Sequence, residues 1–93
     1  MNKKIQQQII DYLLIYNPEM IGIFGSYARN EQTKNSDIDI LVSFSQRLNL
    51  IDLSRIRNEL SEKLKIEVDL VTKKALHPKL KIYIEKDLQI IYQ

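Results

Sequence analysis

Gly25-Ser26-Tyr27-Ala28-Arg29-Asn30-Glu31-Gln32-Thr33-Lys34-Asn35-Ser36-Asp37-Ile38-Asp39-Ile40-Leu41-Val42 is the stretch whose reading decides the fold. It opens on a glycine turn and closes on an alternating run. Ile38, Ile40 and Val42 fall on one side of a strand over residues 37–43. Asp37, Asp39 and Leu41 fall on the other. Aspartate is depleted in strands, so two of them inside an aliphatic run need a reason. Carboxylates at strand positions i and i+2 point the same way, about 6–7 Å apart along the chain. Val68-Asp69-Leu70-Val71 repeats the pattern with a third carboxylate.

Working outward, Met20-Ile21-Gly22-Ile23-Phe24 reads as a short buried strand leading into the turn. Before it, Ile5, Ile9, Leu13 and Tyr16, widened by Ile10 and Leu14, form the apolar stripe of an amphipathic helix over 3–16. Asn17-Pro18 ends that helix. After Gly25-Ser26 the spacing predicts a short helix over 27–33, with Ser26 as its cap. Downstream, Asn49 and Asp52 make a capping-box pattern. The helix they open carries Leu53, Ile56, Leu60 and Leu64 and ends near Lys65. Residues 66–71 read as the third strand, and Pro78 suits the first turn of a last helix over 78–86. Leu88, Ile90 and Tyr92 alternate in a short fourth strand. The expected architecture is α/β (α+β), a small mixed sheet with helices mainly on one face. The other face of the central strands is then free for chemistry.

Composition narrows the function. At 93 residues the chain is expected to be a single domain over 1–93. A net charge of +2, with Lys and Arg spread along the chain, argues against direct nucleic-acid binding. Without cysteine there is no disulfide framework and no thiolate chemistry. No run approaches the roughly 18 apolar residues of a membrane span. The first residues lack the apolar core of a signal peptide. A cytoplasmic location is expected.

Three carboxylates on otherwise aliphatic strands suit a hard divalent ion. Mg²⁺ is held by one or two carboxylates plus substrate phosphates. Two such ions about 3.5–4 Å apart can serve both the attacking and the leaving oxygen of a phosphoryl-type transfer. Asp37 and Asp39 could bridge both ions, with Asp69 completing the site and helping to activate an acceptor hydroxyl. Three solvated aspartates at strand starts are the plainer alternative. Gly25 lets the backbone approach a ligand closely, and the Ser26 hydroxyl could meet a phosphate. An ordinary strand-to-helix turn with a serine cap is the alternative there. The Gly-Lys-Ser/Thr signature of a P-loop is absent. Arg29 could reach a triphosphate or pair with a local carboxylate. His77, the sole histidine, reads as turn chemistry before Pro78. Lys73 and Lys74 read as exposed solubilising residues. Tyr12, Tyr16, Tyr83 and Tyr92 lie on apolar faces as core or partner surface, and Tyr27 stands beside the proposed phosphate site.

The run Gly25-Ser26-Tyr27-Ala28-Arg29, then Ser36-Asp37-Ile38-Asp39-Ile40-Leu41-Val42, then Val68-Asp69-Leu70-Val71 resembles the polymerase-beta-type nucleotidyltransferase superfamily. It is most similar to the stand-alone minimal nucleotidyltransferase (MNT) domains, which pair with HEPN proteins as antitoxin and toxin. The resemblance implies a nucleotidyltransferase fold, Mg²⁺ (two ions) and a nucleoside triphosphate, usually ATP. It carries the family's Gly-Ser to Gly25 and Ser26 and its carboxylates to Asp37, Asp39 and Asp69. It implies transfer of AMP to a tyrosine of a HEPN-type toxin encoded nearby, with room for a hetero-oligomer. One departure is Asn30, where the family often has glycine. Asparagine tolerates the left-handed conformation, so the turn is expected to survive. No helical acceptor-binding domain follows in this sequence, so the acceptor is expected from another chain. Two alternatives stay open. One is a binding module that neutralises its partner by occlusion. The other is a catalytic subunit that nucleotidylates a small molecule.

Overall fold

Asn2 starts the first helix by accepting the Lys4 N–H at 2.7 Å. The computed structural model describes all 93 residues, and from this cap α1 runs over Lys3–Leu13. The expected helix to residue 16 continues as a tighter 3₁₀ turn, Leu14–Tyr16, and stops at Asn17 in the left-handed conformation. Strand β1 follows over Pro18–Phe24 and β2 over Ile38–Phe44. Helix α2 covers Leu50–Leu64, opened by the reciprocal Asn49–Asp52 capping box and closed by Lys65 in the left-handed region. Strand β3 spans Val68–Thr72, helix α3 Pro78–Asp87 and strand β4 Gln89–Tyr92. His77 caps α3, accepting the Lys79 N–H on Nδ1 at 3.1 Å, which is the turn role its place before Pro78 predicts.

The four strands make one mixed sheet in the order β3-β2-β1-β4. β1 is antiparallel to β2 and to β4, whereas β2 and β3 are parallel. Parallel neighbours need a crossover, and α2 supplies it. The aliphatic sides of the strands (Ile21, Ile23, Ile38, Ile40, Val42 and Val68) form the core with Ile9 and Leu13 of α1 and Ile56 and Leu60 of α2. The expectation of helices mainly on one face is met by α1 and α2. The opposite face is not wholly free. There α3 rests on β1, and Leu41 is buried in a groove shared with Leu76, Pro78, Ile84 and Leu88. Only the acidic end of that face stays open. No helix is long and apolar enough to cross a membrane.

The predicted helix over 27–33 is cut to a single turn. Glu31 N–H donates to Ser26 O at 2.9 Å and Asn30 N–H to Tyr27 O at 3.3 Å. With Asn30 at φ 58°, these bonds form a Schellman closure, which ends a helix at its left-handed residue. Asparagine thus performs the turn expected of the family's glycine. Tyr27 and Ala28 are pulled into the core by it. Asn30→Gly is expected to change stability by no more than about 0.5 kcal/mol. Asn30→Val should lose about 1–2 kcal/mol, read from urea unfolding, because a β-branched residue resists the left-handed region.

Candidate active site

Parallel pairing sets Asp39 of β2 directly opposite Asp69 of β3. Their neighbours Ile38 and Val68, also register partners, are buried in the core. Alternation therefore turns both carboxylates to the opposite, open face. Adjacent strands lie about 4.8 Å apart, so the two groups are close neighbours. Asp37 stands one residue before β2 and adds its charge to theirs. Asp37 and Asp69 are exposed, while Asp39 is half-buried. Burial above all, then the charge of Asp69 and a hydrogen bond shared with it, then the charge of Asp37, push the Asp39 carboxyl up to about 6. The Arg29 guanidinium pulls the other way.

The glycine turn meets this acidic end directly. Phe24, the last residue of β1, is the register partner of Asp39. Gly25 then turns the chain at φ +73°, and a Cβ placed on it would land on Asp39 Oδ2. Glycine is needed here twice over, for its conformation and for lack of space. After it, the backbone N–H groups of Ser26, Tyr27 and Ala28 find no acceptor within the protein. Successive free N–H groups in a turn form a concavity suited to an anion. Ser26 is half-buried beside them.

Arg29 lies at the end of this turn. Its Nε donates to Glu31 Oε1 at 2.7 Å and its Nη1 to Asp87 Oδ2 at 2.6 Å, and these bonds hold its pKa above the ordinary arginine value. Of the two roles read for Arg29, the carboxylate pairing is thus present. Its charge still reaches Asp39. Asp87 was not marked by the sequence pattern. The one local signal is an acidic residue in the last turn of a helix, where the dipole disfavours it. Such a residue calls for a cationic partner.

The remaining candidates sit apart. Lys73 and Lys74 are exposed beyond β3. Tyr12, Tyr16 and Tyr92 pack against the core, while Tyr83 is 71% exposed on α3. Tyr27 is buried, and its ring also borders an open cleft of about 520 Å³ that includes Lys34, Asn35, Ser36, Asp37 and Lys65. That cleft reaches Asp37 but neither Asp39 nor Asp69.

The oxygens of the acidic trio do not close into a three-ligand cage by themselves. Their chemistry nevertheless fits a hard cation. The donors are all carboxylate oxygens, burial and the neighbouring carboxylates together raise Asp39, and Mg²⁺ commonly takes only one or two carboxylates before adding phosphate and water.

Comparison with known proteins identifies the family. Residues 4–91 match the family model described as a nucleotidyltransferase domain. A protein of Methanocaldococcus jannaschii named as a candidate protein adenylyltransferase is 50% identical over 78 residues, covering 84% of each chain. A crystal structure of a toxin–antitoxin with AMP-PNP superposes with a TM-score of 0.86 at 28% identity, over 94% of this chain and 72% of that one. The toxin–antitoxin MntA-HepT superposes with a TM-score of 0.80 at 25% identity, over 98% of this chain and 72% of that one. With a glycine turn seated on one strand carboxylate and a second carboxylate paired beside it, the chain belongs to the nucleotidyltransferase-domain family, and toxin–antitoxin structures are among its solved neighbours.

Proposed function

We propose that this chain transfers AMP from ATP to a tyrosine hydroxyl of a HEPN-type toxin in the cytoplasm, and so acts as its antitoxin. The observation that carries this reading is the contact of the Gly25 turn with Asp39, itself paired with Asp69 across β2 and β3. An anion concavity and an acidic cluster side by side suit a triphosphate whose charge is shared between backbone N–H groups and a cation. Asp37, Asp39 and Asp69 would hold Mg²⁺, which when bound neutralises phosphate charge and lowers the barrier to attack.

The residues of the chain divide the remaining work. Gly25 lets the phosphates approach the backbone. The N–H groups of Ser26, Tyr27 and Ala28, with the Ser26 hydroxyl, orient the phosphate tail. The acceptor oxygen attacks the α-phosphorus, the bond to the β-phosphate oxygen breaks, and pyrophosphate leaves. Asp69, exposed beside Asp39, takes the proton of the acceptor hydroxyl. The tyrosine comes from the partner chain. Support for such a partner comes from the toxin–antitoxin relatives, one of them solved with a nucleotide analogue.

The test is direct. The protein is incubated with the toxin encoded beside it, ATP and Mg²⁺, and the toxin mass is measured. A gain equal to one or more AMP groups is expected, and the activity of the toxin should fall in step. An unchanged mass overturns the reading.

One observation favours the second reading, neutralisation by occlusion. Helix α3 shows Leu80, Ile82 and Tyr83 to solvent, each more than half exposed. If the Asp37→Asn, Asp39→Asn double variant still silences the toxin, docking rather than AMP transfer is the mechanism.

A further inference from the structure

Three consecutive residues at the junction of α3 and β4 hold three separate points around the glycine turn. Asp87 accepts from Arg29 Nη1 at 2.6 Å. Gln89 Nε2 donates to the Ala28 carbonyl at 2.9 Å. Between them, Leu88 lies over Gly22 of β1, so closely that a Cβ on Gly22 would come within 2.6 Å of Leu88 Cδ1. Gln89 is also the register partner of Ile23, which ties the junction to the strand that feeds the turn.

These contacts have a common consequence. Turns of this size rest on few hydrogen bonds of their own, and local stability is lowest where contacts are few. Here the turn is closed by its Schellman bonds and then braced from outside at its last two helical residues, Ala28 and Arg29. The Ala28 carbonyl shares its peptide plane with the Arg29 N–H, which donates to Gly25 O at 3.2 Å, so anchoring that plane ties the end of the turn to its start and holds between them the segment that carries the free N–H groups of Ser26, Tyr27 and Ala28. A binding loop held in its productive shape loses less freedom when the ligand arrives. The pairing also explains why an acidic residue ends α3 against its dipole.

We propose that Asp87 and Gln89 are positioning residues for the nucleotide. From the C-terminal end of the chain they hold the Gly25–Glu31 turn so that its backbone donors already point at the triphosphate. This rests on the nucleotidyltransferase reading above. The brace itself is measurable without nucleotide.

The experiment uses the full chain with Asp87→Asn, Asp87→Glu and Gln89→Met. Three quantities are read: hydrogen exchange of the bonded turn amides of Arg29, Asn30 and Glu31, affinity for AMP-PNP with Mg²⁺, and the KM and kcat for ATP with the toxin. In Asp87→Asn and Gln89→Met, turn amides are expected to exchange about tenfold faster while β1 and β2 amides keep their protection. The KM for ATP and the Kd for AMP-PNP should rise about five- to tenfold, with kcat within about twofold, because ordering is shifted to the binding step. Asp87→Glu keeps the charge and should recover most of both effects. Unchanged exchange overturns the brace. Faster exchange with unchanged KM and Kd makes the contacts merely structural and overturns the positioning role. A wild-type chain that binds no AMP-PNP overturns this proposal and the nucleotidyltransferase reading together. A wild type and variants that bind equally well overturn this one alone.

Discussion

Asp39→Asn is expected to abolish nucleotidyl transfer, by about a thousandfold or more, and at the same time to stabilise the unliganded protein. The loss follows from position. Asp39 sits between Asp69 and the Gly25 turn, so it is the one carboxylate that touches both halves of the proposed site. Removing its charge weakens cation holding at a point where several kcal/mol of transition-state stabilisation are invoked, and each 1.36 kcal/mol is a factor of about ten in rate. The gain in stability follows from charge. Burial and the neighbouring carboxylates raise the Asp39 carboxyl to about 6 from an ordinary value of 3.8. The folded protein therefore binds this proton more tightly than the unfolded chain. Its favourable contribution is present below pH 3.8 and is lost as pH rises through 6. Above that window the ionised group costs stability. After discounting for solvent screening the cost is on the order of 1 kcal/mol, or roughly 4–8 °C in Tm for a domain of this size. Thermal melts of wild type and Asp39→Asn should differ by that amount at pH 7.5 and converge near pH 4. Equal melting points at pH 7.5 would mean that neither burial nor the neighbouring carboxylates disfavour the ionised Asp39.

Gly25→Ala should be the most damaging single methyl addition in the chain. Two penalties act together. The residue adopts φ +73°, where an L side chain costs about 1–2 kcal/mol. The added Cβ also falls on Asp39 Oδ2, so the carboxylate or the turn must move. Destabilisation of about 2–3 kcal/mol is expected in urea unfolding. Binding of AMP-PNP should weaken more than tenfold, since a displacement of about 1 Å at a positioned site can cost 10²-fold. The double variant Gly25→Ala, Asp39→Ala is informative, because alanine removes the carboxyl group that the new Cβ meets, whereas asparagine would keep its shape. If the clash is with the carboxylate, the two changes couple, because residues in contact are not additive. If the penalties simply add, backbone strain alone accounts for the loss.

Most of the fold is legible in the sequence. The alternation at Asp37–Val42 and Val68–Val71, the Asn49–Asp52 box, Pro78 and the tail alternation each named an element that the structure contains, within a few residues at the ends. The short helix after Gly25 is a single turn where the spacing predicts a helix over 27–33. Its length is decided by one residue, Asn30, whose left-handed conformation shuts the helix after a single turn. The face opposite α1 and α2 is less open than the strand pattern predicts, because nothing local says that the groove beside Leu41 is covered by α3.

The candidate site divides the same way. Alternation alone turned Asp37 and Asp39 away from the aliphatic core, since side-chain direction in a strand is a local property with period two. The kind of chemistry, oxygen donors for a hard cation beside a glycine turn, was likewise determined by residue type. Tertiary structure decided the rest: that Asp69 stands opposite Asp39 and not one residue off, that Arg29 is held by Asp87, and that Gln89 reaches Ala28. Those are partnerships between distant parts of the chain. A sequence pattern reports the few neighbours that a turn of helix or a pleat brings together, whereas strand register and side-chain pairing arise from packing the whole chain at once.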